Sequence, residues 1–138
     1  MKTILLKWVS LLLVVLTLTA CRRSSETVTT ITLSGWQSSP IEKQRIEQVL
    51  ENFESTYPHI KVKYEIIADQ YMDVIKTRLI GDAAPDVFYL EAFEAPLLMT
   101  NDVLEPLDNY ITEEFDLADF EPSLLDAFKE KGKIYGLP

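Results

Sequence analysis

The chain has 138 residues, with 22 acidic and 13 basic side chains and a formal net charge of -9. This acidic balance disfavours nucleic-acid binding, which depends on Lys and Arg side chains that neutralise phosphates. The chain has one cysteine, which excludes an internal disulfide and a thiolate metal cluster. The length is sufficient for one domain with its own core.

Residues 1–20 have the pattern of a signal for export. A basic start precedes an almost wholly apolar run from Trp8 to Leu18. That run is shorter than the roughly 20 apolar residues that a membrane-spanning helix needs, and its basic flank is typical of a cleaved signal. Residues Leu18 to Cys21 resemble the lipobox of bacterial lipoproteins, which implies cleavage before Cys21 and acylation of that residue. An uncleaved anchor with a chance cysteine is the alternative.

The next segments predict a tether, a strand and a helix. Residues 21–29 are polar and rich in Ser and Thr, as expected for a flexible tether. Alternating polar and β-branched residues predict a strand over Thr30 to Ser34, ended by Gly35. Ser39 to Glu42 matches a capping box, which predicts the start of a helix. Tyr57 and Pro58 stop that helix, because the residue before proline avoids the helical region.

A second strand and helix follow. Alternate apolar residues predict a strand over Ile60 to Ile67. Asp69 is a suitable N-cap for the next helix, whose buried stripe includes Met72 and Ile75. We expect Gly81 to end this helix in the left-handed conformation.

The last part of the chain is less regular. The continuously apolar run from Val87 to Leu90 predicts a central strand covered on both faces. A further helix is predicted over Glu121 to Lys131. No internal repeat and no low-complexity segment is present in the sequence.

The order of strands and helices predicts two βαβ units. Right-handed crossovers make their strands parallel. In open α/β sheets, ligands bind beyond the carboxyl ends of the strands. Three loops should occupy that edge, at residues 35–39, 68–70 and 91–95.

Five motifs follow the lipobox in order: Gly35-Trp36, Phe53 to Ile60, Ile80 to Val87, Leu104 to Asp108, and Gly132 to Pro138. Together they resemble the extracellular solute-binding proteins of ABC transporters, family 1, of the maltose-binding-like type. The resemblance implies an α/β fold of the type II periplasmic-binding-protein kind. It also implies a two-lobed receptor that closes on a small solute, expected to be a sugar, and delivers it to permease subunits in the membrane.

The resemblance also implies that a second lobe is missing. The sequence stops where the first crossing to that lobe would begin. Residues 30–138 are therefore expected to form an incomplete N-terminal lobe, with a partly parallel sheet flanked by helices. Solute trapping normally requires two walls.

The residues proposed to contact the solute lie in the three loops. The indole of Trp36 suits the apolar face of a sugar and Gln37 suits its hydroxyls, while Ser38 lies close to a helix N-terminus. The full set is Trp36, Gln37, Ser38, Asp69, Glu91, Phe93 and Glu94. Each has an ordinary alternative: Trp36 as a core residue, Asp69 as a helix cap, and the rest as solvated loop residues.

An enzyme is disfavoured. Glu91 and Glu94 could form a glycosidase pair only by accident of loop spacing, and His59 has no zinc-ligand partners at suitable spacing. No metal and no cofactor is expected. We therefore expect an exported lipoprotein, anchored through Cys21 and facing the periplasm or the outer surface. The alternative is a surface lipoprotein that acts as a sensor or scaffold partner with a lost or altered binding site.

Overall fold

The structure, a computed structural model, describes residues 27–112 and 115–138. The β-α-β-α-β order is as predicted: β1 Thr29–Gly35, α1 Pro40–Thr56, β2 Ile60–Ile66, α2 Tyr71–Ile80 and β3 Val87–Phe88. The remaining elements are α3 Ala95–Thr100, a 3-10 turn Leu117–Asp119, α4 Pro122–Asp126, and a hairpin of β4 Lys129–Glu130 and β5 Lys133–Ile134. The signal predicted at residues 1–20, Cys21 and most of the predicted tether lie outside the described residues.

The three long-range strands form a parallel sheet in the order β2-β1-β3. The parallel arrangement confirms the prediction, but the central strand is β1. The prediction that the third strand would be central is wrong for the described sheet, where β3 is an edge. Its apolar run is divided between the two faces, because Phe88 packs into the core while Val87 is 51% exposed.

The first helix begins at the predicted capping box. The hydroxyl of Ser39 accepts a hydrogen bond from the Glu42 N–H at 3.2 Å, which satisfies one of the free N–H groups of the first turn. The helix ends at Thr56, where the N–H of Tyr57 donates to the carbonyl of Phe53. No residue of α1 is buried, so this helix lies on the surface of the sheet.

The prediction that Asp69 caps α2 is wrong. The helix begins at Tyr71, and the residue at its N-cap is Gln70 in the left-handed conformation, with φ 49° and no side-chain cap. A side-chain cap needs an extended backbone at the residue directly before the helix. Because the chain turns at Gln70 instead, Asp69 stands one residue too early to cap the helix.

The end of α2 also differs from the prediction. Gly81 has φ -87° and is not left-handed, whereas Asp82 has φ 53°. The N–H of Ala83 donates to the carbonyl of Arg78 at 2.9 Å, which is the longer bond of a Schellman motif. The left-handed residue is therefore one position later, at an aspartate, which tolerates that conformation better than most residues.

The helix predicted over Glu121 to Lys131 forms only over Pro122–Asp126, so its start is as predicted and its predicted end is wrong. Lys131 and Gly132 both have positive φ, at 51° and 79°. Two successive positive φ values form the two-residue turn that best matches the twist of a β-hairpin. The chain therefore reverses there and pairs β4 with β5.

The core lies against α2 and α3. One cluster contains Met72, Ile75 and Leu98, and a second contains Ala95, Met99 and Phe128. Leu90 and Leu104 pack against both clusters, so the segment that follows β3 joins them. This packing fixes α2 and the loop after β3 relative to the sheet. In the described ranges, no helix is long and apolar enough to cross a membrane.

Candidate functional site

The three predicted loops begin side by side at one edge of the sheet. The Gly35 carbonyl accepts a hydrogen bond from the N–H of Ile67 at 2.9 Å, and the Ser34 carbonyl accepts one from the N–H of Tyr89 at 3.0 Å. These bonds extend the pairing past the ends of β2 and β3. The loops after all three strands therefore leave the sheet together, as parallel pairing requires.

Trp36 lies where the first loop leaves the sheet and is half-buried. Its ring makes near-perpendicular contacts with the rings of Tyr71 and Tyr89, at centroid distances of 5.0 Å and 5.2 Å. The hydroxyl of Tyr64 donates to the Trp36 carbonyl at 3.4 Å. Trp36 is thus part of an aromatic cluster at this edge and is not in either hydrophobic core cluster.

The rest of the first loop is open to solvent. Gln37 and Ser38 are exposed. The N–H of Ser38 donates to the Glu42 carboxylate, while the hydroxyl of Ser39 is used as the helix cap. The side chains of Gln37 and Ser38 are therefore the accessible polar groups of this loop, and Ser39 has the capping role that the sequence predicted.

The second loop brings polar groups to the start of α2. Asp69 and Gln70 are both exposed. A shallow hollow of about 190 Å³ opens next to them, and it is lined by Gln70, Tyr71, Met72, Asp73 and Glu91. This hollow joins the second loop to the third, since Glu91 follows β3.

The three candidates of the third loop have different surroundings. Glu91 lines the hollow and is partly buried. Phe93 is 76% exposed. Glu94 forms a salt bridge with Lys76 on α2, with 2.7 Å between the charged atoms. The Glu94 carboxylate therefore already has an internal partner, and Glu91 is the third-loop carboxylate that lines the hollow, together with Asp73 of α2.

The loops carry charge of one sign only. Asp69, Glu91 and Glu94 belong to them, and the three loop sequences contain no Lys, Arg or His. The nearest cations on α2 are engaged: Lys76 with Glu94, and Arg78 with Glu65. This edge of the sheet is therefore electrostatically negative.

A polar network fixes α2 beneath the aromatic cluster. Both terminal nitrogens of Arg78 donate to the Glu65 carboxylate, which also accepts a hydrogen bond from the buried hydroxyl of Ser34 at 3.2 Å. The bond from Arg78 holds the pKa of Glu65 below its ordinary value, with a smaller contribution from Ser34. A two-pronged Arg–carboxylate pair fixes orientation as well as distance, so it sets how α2 lies across β1 and β2.

A second polar contact joins β3 to β1. The Asp86 carboxylate accepts hydrogen bonds from the N–H and the hydroxyl of Thr32, both at 2.7 Å. In return the N–H of Asp86 donates to the Thr32 hydroxyl at 2.9 Å. The hydrogen bond from the Thr32 N–H lowers the pKa of Asp86 most, followed by the bond from the Thr32 hydroxyl. Asp86 therefore fixes the start of β3, from which Glu91 and Phe93 follow.

The sequence did not identify Tyr64, Tyr71 and Tyr89 as part of the site. Burial, followed by hydrogen bonding to the Tyr89 side chain, raises the pKa of Tyr64 to about 12. Burial likewise raises the pKa of Tyr71 to about 12. The available signal was their position: each is an aromatic residue close to the carboxyl end of a strand or at the first position of a helix.

An α/β unit with a parallel sheet, helices around it and loops gathered at the carboxyl edge is the architecture of a ligand-binding lobe. Residues 37–138 match the family of bacterial extracellular solute-binding proteins, and the chain belongs to this family. The match confirms the resemblance and the fold class predicted from the sequence. Membership of an extracellular family implies an exported protein.

Individual relatives agree with this assignment. The mannitol-binding protein of Pseudomonas aeruginosa is 29% identical, over 84% of this chain and 26% of that protein. A solved ABC substrate-binding protein from Listeria monocytogenes, in complex with cycloalternan, is 32% identical, with a TM-score of 0.68 over 78% of this chain and 28% of that one. A periplasmic solute-binding protein from Pectobacterium atrosepticum is 28% identical, with a TM-score of 0.71 over 80% of this chain and 27% of that one. The chain thus spans little more than a quarter of the length of these relatives.

Proposed function

We propose that this chain provides one wall of a receptor for a small, uncharged, polyhydroxylated solute and serves an ABC importer. The solute would lie against the edge formed by the three loops. Trp36, Gln37, Ser38, Asp69, Glu91, Phe93 and Glu94 are the proposed contacts. The receptor would then present the solute to permease subunits in the membrane.

This proposal rests on the position of Trp36 at the same edge as the hollow that Glu91 lines. Tyr71 connects the two, because its ring contacts Trp36 and also lines the hollow. A half-buried indole offers a flat apolar face for the C–H groups of a sugar or polyol. A carboxylate accepts hydrogen bonds from hydroxyl groups. Together with Gln70 and Asp73 beside the hollow, these groups match the alternating apolar and hydroxylated surface of such a solute.

The charge of the loops supports an uncharged solute. No basic residue occurs in the loops at 35–39, 68–70 and 91–95, while three acidic residues do. An anionic solute would meet like charge there without a compensating cation from these loops. The names of the relatives agree in kind, since mannitol and cycloalternan are neutral polyhydroxylated molecules.

Binding rather than catalysis is proposed for the two glutamates. A glycosidase needs one carboxyl that acts as an acid and a second that acts as base or nucleophile. Glu94 is instead in a salt bridge with Lys76, with 2.7 Å between the charged atoms, so its carboxylate already has an internal partner. This engagement supports a structural role for Glu94, with only a peripheral contact to the solute.

We also propose the domain division expected from the sequence: residues 1–20 as a signal peptide, 21–29 as a tether and 30–138 as the lobe. Acylation of Cys21 would anchor the protein in the membrane. Because β1 begins at Thr29, the last residue of the proposed tether already belongs to the sheet.

Calorimetric titration of the chain with a panel of neutral and acidic sugars and polyols, including mannitol, tests the proposed site. Trp36→Ala and Glu91→Gln should each weaken binding of the neutral ligand that binds best. Tyr110→Ala and Glu51→Gln change exposed residues outside the three loops and should leave binding unchanged. If the folded protein binds no member of the panel, the proposed solute edge fails, and the alternative of a sensor or scaffold partner with a lost binding site is favoured.

The anchor has its own test. The wild-type protein should be recovered with membranes, and Cys21→Ser should be recovered in the soluble exported fraction. Ser24→Ala, in the same polar segment, serves as the control and should stay with the membranes. Equal membrane recovery of the wild type and Cys21→Ser would contradict the proposed acylation.

A further inference from the structure

Trp36 is surrounded by aromatic residues that belong to the site but not to the proposed solute contacts. We infer that Tyr71 and Tyr89 are positioning residues that hold the indole of Trp36 in one orientation, and that Gly35 lacks a side chain because the Tyr89 ring occupies that space. The inference rests on the proposed solute contact of Trp36. Neither tyrosine was singled out by the sequence.

The ring geometry is the first observation. Trp36 meets Tyr71 at an interplanar angle of 86° and Tyr89 at 83°. Edge contacts of this kind are among the favoured arrangements of aromatic pairs. Two of them at once restrict the rotation of the indole about its side-chain bonds more than either contact alone.

The two tyrosines are themselves fixed, and to the same atom. The Ser34 carbonyl accepts a hydrogen bond from the Tyr71 hydroxyl at 2.9 Å and another from the Tyr89 backbone N–H at 3.0 Å. Ser34 is fully buried in the central strand. The first turn of α2 and the residue after β3 are therefore held at one rigid point, directly before the loop that carries Trp36.

Gly35 is the third observation. A Cβ at this position would lie 2.9 Å from two carbons of the Tyr89 ring, which is closer than packed carbon atoms allow. The backbone at Gly35 does not itself require glycine, because its φ is not positive. Among the described glycines, only Gly132 has a positive φ. The close approach of the Tyr89 ring explains the glycine instead.

The consequence is an indole that is oriented before any solute arrives. Immobilising one side chain on binding weakens affinity by about two- to twelvefold compared with a side chain that is already fixed. The cluster therefore removes a cost that a freely rotating Trp36 would carry. Its function would be affinity rather than the choice of solute.

Fluorescence anisotropy decay of Trp36 tests the inference without any ligand. The chain has two tryptophans, so the Trp8→Phe background leaves Trp36 as the only indole. In the full chain with that change, Gly35→Ala should displace the Tyr89 ring and add a fast component to the decay. Tyr89→Leu should do the same, and the double variant should show no more fast motion than Tyr89→Leu alone. Tyr57→Leu makes the same chemical change away from Trp36 and should leave the decay unchanged.

Two further measurements separate positioning from general loosening. Tyr71→Phe keeps the ring beside Trp36 and removes the bond to Ser34, so it should give a smaller fast component and a nearly unchanged melting temperature. With mannitol as the probe, Gly35→Ala should weaken binding by about two- to twelvefold. An unchanged decay in both Gly35→Ala and Tyr89→Leu would overturn the inference, whether or not Gly35→Ala alone were poorly folded. Unchanged binding in Trp36→Ala would instead contradict the proposed function, in which Trp36 contacts the solute. The two failures are distinguishable because the anisotropy decay is measured without a solute.

Discussion

Replacement of Ile75 by alanine should destabilise the lobe far more than the same replacement at Ile80 on the same helix. Ile75 is fully buried among Met72 and Leu98, whereas Ile80 is 89% exposed. The change removes three carbons, worth about 2.4 kcal/mol at about 0.8 kcal/mol for each buried group. The cavity left at Ile75 should collapse only partly, which adds to the loss, so Ile75→Ala should lower the free energy of unfolding by about 3 kcal/mol. At Ile80 the change should stay within about 0.5 kcal/mol.

Urea unfolding, followed by circular dichroism, measures both variants. With a typical m-value of about 1.5 kcal/mol/M, a loss of 3 kcal/mol lowers the midpoint of Ile75→Ala by about 2 M. The midpoint of Ile80→Ala should remain close to that of the wild type. Equal midpoints for the two variants would refute the packing of α2 described above. Since α2 carries Tyr71, that result would also remove the support for the position of Trp36.

Three other outcomes are expected. Burial raises the pKa values of Tyr64 and Tyr71 from 10.0 to about 12, so their contribution to stability should be full below pH 10 and be lost between pH 10 and 12. In a tyrosinate absorbance titration, Tyr71→Phe should lose one late-titrating group, and an unchanged titration would contradict this. The hydrogen bonds from Thr32 lower the pKa of Asp86, so the ionised Asp86 should stabilise the fold at neutral pH and lose this effect as the pH falls through the lowered pKa. The urea midpoints of the wild type and Asp86→Asn should therefore differ at pH 7 and converge in acid. A difference that stays constant with pH would count against the contact. Glu91→Gln should reduce the preference for glucose over glucuronate by about fivefold, because a like charge at 4 Å costs about 1 kcal/mol in water. If calorimetry shows the same preference in the variant and the wild type, Glu91 is not the source of that preference.

Local patterns were sufficient to predict most of the sheet. The alternation in Ile60 to Ile66 and the Ser39 cap depend on residues close in sequence, and both occur as expected. The second bond of the capping box differs, because the Glu42 carboxylate accepts from the N–H of Ser38. The parallel pairing followed from chain connectivity alone. These features placed three loops at one edge before any contact between them was known.

The errors occurred where the backbone conformation of one residue decides the outcome. Asp69 has the right chemistry for a cap, but the left-handed turn at Gln70 moves the helix start past its reach. The helix predicted past Asp126 ends because Lys131 and Gly132 form a hairpin turn. Propensity gives only a weak preference in such places, and tertiary packing decides.

The detail of the site depends on contacts between distant segments. The partner of Glu94 is Lys76, which is 18 residues earlier, and no local pattern joins them. The aromatic cluster draws Tyr64, Tyr71 and Tyr89 from three separate elements to Trp36. Because the register of β1 against its neighbours sets this meeting, only the folded chain shows it.

We propose that the three loops at the carboxyl edge form one wall of a solute site. Amide NMR shifts, recorded during titration with the neutral ligand that binds best, locate this wall. Saturable shifts should be concentrated at residues 35–39, 68–70 and 91–95. Saturable shifts at the opposite edge, near Thr29 and Ile60, with these loops unaffected, would contradict it.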